Sequence, residues 1–311
     1  KDLIETVAST DDALLERYLE GGEIGHDEVV KAMRTALTKG ELYPVFCGAS
    51  ELTYGMRALL SEIVELVPSP AENEPKQAER WGSADKITVA PTDDAPFTAL
   101  VFKTMSEPHV GDVSFFRVVS GCVRNGQEVF NAARGAAEKL NHLSIAQGKE
   151  KVEVATLHAG DIGAVAKLRE THTNDTLSAP GMPVVLPRVP FPEPVIHVAI
   201  EAKVKGEEDK ISIGLGKLHE EDPTFHWEYN GEVRQTWIRG LGERHLEVIL
   251  GRLARKFGVH AGTVKPKIPY RETIKGKAEG EGKHKKQTGG RGQFGDCWIR
   301  MMPLPLGSGY V

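Results

Sequence analysis

The hydrophobic pattern of this chain changes period along its length, and each change limits what the segment can become. From Lys86 to about Pro192, short β-branched and aromatic runs recur: Phe97 to Met105, Val113 to Ser120, Gln127 to Asn131, Val152 to Thr156 and Ala164 to Leu168. Turn pairs separate them, as at Gly111-Asp112, Asn125-Gly126 and Gly160-Asp161. Closely spaced strands without helical stripes between them predict an all-β barrel. From about residue 194 to 268 the rhythm is mixed. A strand (Val195 to Ile200) precedes a helix whose Ile211, Leu215 and Leu218 share a face, and two strands (Phe225 to Tyr229, Val233 to Ile238) follow. A helix carrying Leu246, Ile249, Leu250, Leu253 and Phe257, then a strand near Val259, complete the order βαββαβ, a ferredoxin-like split unit.

Residues 1–70 read as helix, helix, strand, helix. Leu3, Ile4 and Val7, then Leu14, Leu15 and Tyr18, continue one opening helix; Val29, Val30, Met33 and Leu37 form a second stripe, and Leu59, Leu60, Ile63, Val64 and Val67 a third, ending at Pro68 and Pro70. Val45-Phe46-Cys47 reads as a fully apolar strand. Such a strand is buried on both faces in a parallel sheet, so this segment reads as the tail of an α/β domain whose other strands lie elsewhere. The chain has 311 residues, opens inside a helical pattern without Met, and is read as a fragment. Single cores rarely exceed about 250–300 residues, so two or three domains are expected.

Net charge is −5, which leaves nucleic-acid contact to a local patch. The charge is uneven: residues 1–75 carry 6 basic against 15 acidic side chains, whereas residues 265–300 carry 10 against 4. Cys47, Cys122 and Cys297 are far apart, without a C-x-x-C pair or metal-ligand spacing, which predicts a reduced, cytoplasmic protein with no metal site. No apolar run approaches the ~20 residues that span a bilayer, so no membrane partner is expected.

Catalytic signatures are few. No G-x-x-x-x-G-K-[ST] phosphate loop, H-E-x-x-H or G-x-S-x-G occurs, so no catalytic residue is assigned. His245 and Glu247 flank Leu246 on a helix and read as solvated neighbours of a core residue. Asp222-Pro223 reads as a helix stop. Gly48-Ala49-Ser50, after the apolar strand, lies where open α/β sheets bind ligands. The stretch Lys283 to Trp298, KHKKQTGGRGQFGDCW, satisfies G-x-G-x-x-G at Gly290, Gly292 and Gly295. A dinucleotide turn would follow a strand and open a helix, but here a β-like run of Phe294, Cys297, Trp298 and Ile299 follows. Beside Lys283, His284, Lys285 and Lys286, the glycines fit a loop that approaches RNA phosphates closely. A solvated charged hairpin is the bland alternative.

Taken together, the motifs resemble translation elongation factor G over essentially the whole chain. They are Cys47-Gly48 with Val67-Pro68-Ser69-Pro70; Phe102-Lys103 with Pro108 to Gly111; Phe116-Arg117-Val118 with Ser120-Gly121; Ala159 to Ile162; and Asp175-Thr176-Leu177. Farther on come Phe191 to Val195, Glu221 to Phe225, Gly242-Glu243 with His245-Leu246-Glu247, Tyr270 to Thr273, and Gly289 to Gly295. The resemblance implies a multidomain fold: the end of a GTPase domain (1–70), a linker (71–85), a translation-factor β-barrel (86–192), the ferredoxin-like domain (193–268) and the start of a further α+β domain (269–311). It implies a monomer whose partner is the ribosome, with its rRNA, tRNA, mRNA and ribosomal proteins, and whose role is translocation. It also implies GTP and Mg2+ as cofactors of a full-length parent, and none for this piece, which without a phosphate loop should be inactive alone. Gly48, Ala49 and Ser50 would match the guanine-contacting loop, and Gly289, Gly290, Arg291, Gly292, Gln293 and Phe294 a tip loop, with Lys285 and Lys286 beside it.

The chain departs from the family pattern at Ala49-Ser50, Arg244 and Asp296, where Ser-Ala, Leu and His are usual. Gln147 to Val152 looks more like the elongation-factor-G-like second paralogues. Recycling or a specialised role therefore stands beside translocation, as does a stand-alone RNA- or ribosome-binding adaptor.

Overall fold

The computed structural model describes residues 2–107, 110–148, 150–270, 272–287, 289–305 and 307–309. Pro108, His109, Lys149 and Arg271, which enter the motifs above, lie outside them. The chain divides into two compact units, Lys1–Pro194 with Ser212–His226, and Val195–Ile211 with Trp227–Val311.

The first unit begins with four helices, α1 (Asp2–Ala8), α2 (Asp12–Leu19), α3 (His26–Lys39) and α4 (Met56–Leu66). The single opening helix of the sequence reading is two helices. Asp11 adopts an extended backbone, and its carboxylate accepts from the Ala13 and Leu14 N–H groups at 3.0 and 3.1 Å, so it starts α2 and ends continuity with α1. Gly40, left-handed at φ 72°, closes α3. The expected strand at Val45–Cys47 does not form. No described strand pairs with it, and Val45 is 88% exposed, so an apolar sequence here has no ladder to join.

After a 3-10 turn at Pro70–Glu72, thirteen short strands follow. They are β1 (Lys76–Arg80), β2 (Lys86–Val89), β3 (Thr98–Glu107), β4 (Gly111–Ser120), β5 (Val123–Arg124), β6 (Gln127–Asn131), β7 (Ala136–Leu140), β8 (Ser144–Gln147), β9 (Glu150–Glu153), β10 (Thr156–Leu157), β11 (Ile162–Ala166), β12 (Thr176–Ser178) and β13 (Val184–Val185). Eight form one antiparallel sheet in the order β7-β6-β12-β3-β4-β11-β8-β9. It encloses a core that includes Phe116, Val118, Leu140, Leu143, Leu157 and Leu177, each 0% exposed. Register shifts in the β3–β4 ladder, between Thr98 and Ala99 and between Val101 and Lys103, are bulges of the kind that bend a sheet into a barrel.

A smaller sheet, β13-β1-β2, adds a second core of Ala78, Val89, Val184 and Leu186. Neighbouring residues of β4 serve the two cores separately, because strand side chains alternate: Val118 joins the first and Val119 the second. The segment 71–85, read from its polarity as a linker, thus contains a strand. In β1 the burial pattern shows one buried position, Ala78, so its pairing with distant β13 is invisible in its own composition.

The βαββαβ order expected after residue 193 is present as β14 (Ile196–Ala202), α5 (Glu208–Glu221), β15 (His226–Asn230), β16 (Gln235–Gly240), α6 (Glu243–Phe257) and β17 (Ala261–Val264). The sheet order β15-β16-β14-β17, antiparallel where β14 meets β16 and β17, is that of a ferredoxin-like fold. Leu246, Ile249 and Leu253 bury one stripe of α6, and Gly258, left-handed at φ 66°, ends it. Asp222 ends α5 as expected; its carboxylate accepts from the Thr224 N–H and hydroxyl at 3.0 and 2.6 Å. His245 is more than a solvated neighbour, since its Nδ1 accepts from the Leu241 N–H at 3.1 Å across the turn into α6.

Candidate nucleic-acid interface

The basic stretch singled out by sequence forms a hairpin of β18 (Ala278–Lys286) and β19 (Gln293–Met301). The ladder runs without a register break from Ala278 opposite Met301 to Lys286 opposite Gln293. Alternation then puts Glu279, Glu281, Lys283 and Lys285 on one face with Phe294, Asp296, Trp298 and Arg300. The other face carries Gly280, Gly282, His284 and Lys286 with Gln293, Gly295, Cys297, Ile299 and Met301. Both strands are exposed throughout.

The strands reach farther into the stretch than the sequence reading had them. Lys283 to Lys286 lie inside β18, and Gln293 and Phe294, read as part of the tip loop, open β19. Gly289 and Gly290 take φ 46° and 108°, and neither has any atom within 4 Å of where a Cβ would stand. Backbone conformation, not crowding, therefore demands glycine here. The open space lets a ligand approach the peptide groups directly. The dinucleotide reading falls because a strand, β19, and not a helix N-terminus that could hold a pyrophosphate, follows the loop.

Charge is graded along the hairpin. Near its base Arg300 pairs with Glu279 at 2.5 Å. Midway, Lys283 Nζ lies 3.1 Å from Asp296 and 3.9 Å from Glu281, and 5.9 Å from the Phe294 ring centroid. Toward the tip, Lys285, Lys286 and Arg291 make no ion pair among the described residues. Three such cations, two at the end of β18 and one in the open glycine turn, suit phosphate contacts, and Phe294, 68% exposed, offers a ring for stacking. Sequence reading missed Trp298, 72% exposed on the Phe294 face; its four-residue offset from Phe294 on a strand was the available signal. It also grouped Lys283 with the tip cations, although a cross-strand carboxylate neutralises it.

Gly48, Ala49 and Ser50 belong to the other unit, in a tight turn closed by Ala49 and Tyr54. The Ala49 N–H donates to Tyr54 O at 3.0 Å, and the Tyr54 N–H donates to Ala49 O at 3.1 Å. A Cβ on Gly48 would stand 2.9 Å from Tyr54 O and collide with Met56 Cε, while one on Gly55 would meet Cys47 O at 2.8 Å. The two glycines let the flanks of the turn pack backbone to backbone. Among the described residues no cluster of His, Cys, Asp and Glu could hold a metal ion.

Three family models match in chain order: Elongation factor G domain 2 over residues 96–180, Elongation Factor G, domain III over 191–265, and Elongation factor G, domain IV over 266–311. A crystal structure of a protein from Thermus thermophilus matches 96% of this chain with a TM-score of 0.69 and 36% identity. The chain belongs to the elongation factor G family. It spans 42% of the length of that solved chain. The eight-stranded sheet lies wholly within the domain 2 match, the βαββαβ unit within the domain III match, and the basic hairpin within the domain IV match. No helix among the described residues is long and apolar enough to cross a membrane.

Proposed function

We propose that this chain is the part of a ribosome-dependent translational GTPase that carries the factor's contact with ribosomal RNA and its ligands, and that the whole factor promotes movement of tRNA and mRNA. The observation that carries the reading is the hairpin tip, where Lys285, Lys286 and Arg291 make no ion pair among the described residues and lie near left-handed glycines within an elongation factor G domain IV match. In this reading Gly289 to Phe294 meets RNA in the decoding region. Gly48, Ala49 and Ser50 border the guanine base of GTP, and the phosphates and Mg2+ are held by residues of the parent factor outside this chain. The chain itself has no phosphate loop. Alone it binds ribosomes in the cytoplasm and turns over no GTP.

The test is co-sedimentation of the purified chain with ribosomes, alongside a GTP hydrolysis assay. Saturable binding without hydrolysis supports the reading. Hydrolysis by the chain alone, or no binding at any salt concentration, would overturn it. A translocation assay against a subunit-splitting assay, with the parent factor, separates translocation from recycling.

A further inference from the structure

Within the first unit a cleft of about 310 Å³ opens between the segment after α4 and the barrel. Its apolar wall includes Pro70, Pro91 and Val89, and its rim carries Glu74, Lys76 and Arg117. The wall is fixed by local chemistry. The Ser69 N–H donates to the Glu72 carboxylate at 2.6 Å, and Arg34 pairs with the same oxygen at 2.5 Å, so the turn that holds Pro70 is pinned. Those contacts, the Ser69 N–H first, hold the Glu72 carboxyl below the usual carboxylate range.

Opposite, Gly160 sits at φ 97° with its N–H donating to Val118 O at 2.8 Å. A Cβ there would collide with Pro70 Cβ and Cγ, so the missing side chain is what seats the proline ring. The loop that presents Gly160 is braced in turn. Asp93 pairs with His158 at 2.7 Å and accepts from the Ala159 N–H at 3.0 Å, while Asp161 accepts from the His158 N–H at 2.8 Å.

Unlike the wall, the rim is solvent-exposed. Lys76, Arg117 and Glu74 make no side-chain hydrogen bond or ion pair among the described residues. Two cations and one carboxylate leave one net positive charge over an apolar floor. A volume at the lower end of the ~300–1,000 Å³ of small-molecule sites limits the occupant to a compact body.

We propose that this cleft binds a compact organic monoanion, an aryl or branched alkyl carboxylate or sulfonate. Its apolar body rests on Pro70, Pro91 and Val89, and its charged group lies between Lys76 and Arg117. A ligand so placed bridges the chain after α4 to β4 and holds the two together. Glu74 offsets one of the cations, so polyanions are disfavoured and the site is distinct in chemistry from the hairpin tip.

The test titrates naphthalene-2-sulfonate into the isotope-labelled full chain and follows backbone amides by 1H–15N correlation spectra. Saturable shifts centred on Lys76, Val89, Val118, Val119 and Gly160 are expected, with weaker binding of neutral naphthalene-2-methanol and none of inorganic phosphate. Joint Lys76→Gln and Arg117→Gln substitution should weaken binding on the order of tenfold or more, and Glu74→Gln should strengthen it, a sign that general destabilisation cannot mimic. Shifts confined to the exposed apolar residues around Val45 and Val64, equal affinity in the double variant, or phosphate binding as tight as the sulfonate would each overturn the proposal.

Discussion

The β3–β4 and β18–β19 hairpins are ladders of nearly equal length with opposite burial in this chain. In β3 and β4 most positions are buried or half-buried, and the register breaks twice as the sheet bends around its core. In β18 and β19 every position is exposed and the register is unbroken. Ladder hydrogen bonds are common to both, so the stability of the first comes from what its faces bury. Within the described residues nothing packs over the second, and a lone two-stranded hairpin contributes little stability of its own.

That contrast gives its largest expected effect in a pair of truncations. Phe116→Ala, at a fully buried ring, should cost about 3–5 kcal/mol in denaturant unfolding, whereas Trp298→Ala, mostly exposed, should stay within about 0.5 kcal/mol. Equal losses would erase the distinction between the two ladders. Gly160→Ala comes next. A left-handed residue pressed against Pro70 should lose about 1–3 kcal/mol and release the Pro70 turn, read as faster amide exchange at Glu72 and Asn73.

The smallest effect is electrostatic. The Glu28 carboxyl is lowered from 4.5 to about 2 by its hydrogen bonds from the Arg17 guanidinium and the Gly25 N–H. Because the folded value is the depressed one, this stabilisation is complete above about 4.5 and fades as pH falls toward about 2. Melting temperatures of the parent chain and Glu28→Gln should differ slightly at pH 7 and converge near pH 2. A gap that persists in acid would show that the Arg17–Glu28 pair, half exposed on both sides, does not act through charge.

What sequence could reveal divides along the same line. The βαββαβ unit was legible because α5 and α6 are long enough for a 3.6-residue stripe, with Leu246, Ile249 and Leu253 recurring on one face. The barrel was legible as a rhythm but not strand by strand. β5, β10 and β13 have two residues each, too short for any alternation to register, and their pairing depends on residues far away in the chain. The helix break at Asp11 was a local capping signal that the apolar spacing of Leu3 to Tyr18 concealed.

At the candidate site, composition found the cations and glycines. Only the cross-strand register shows that Lys283 is neutralised by Asp296 while Lys285, Lys286 and Arg291 are not.

The central claim, that the hairpin tip contacts nucleic acid through those three cations, is tested most directly by the salt dependence of ribosome binding. For the parent chain the logarithm of affinity should fall linearly with the logarithm of salt concentration. Joint substitution of Lys285, Lys286 and Arg291 by Ala should flatten that line by about one unit of slope per lost phosphate contact. An unchanged slope, with the variant folded and affinity intact, would contradict the account.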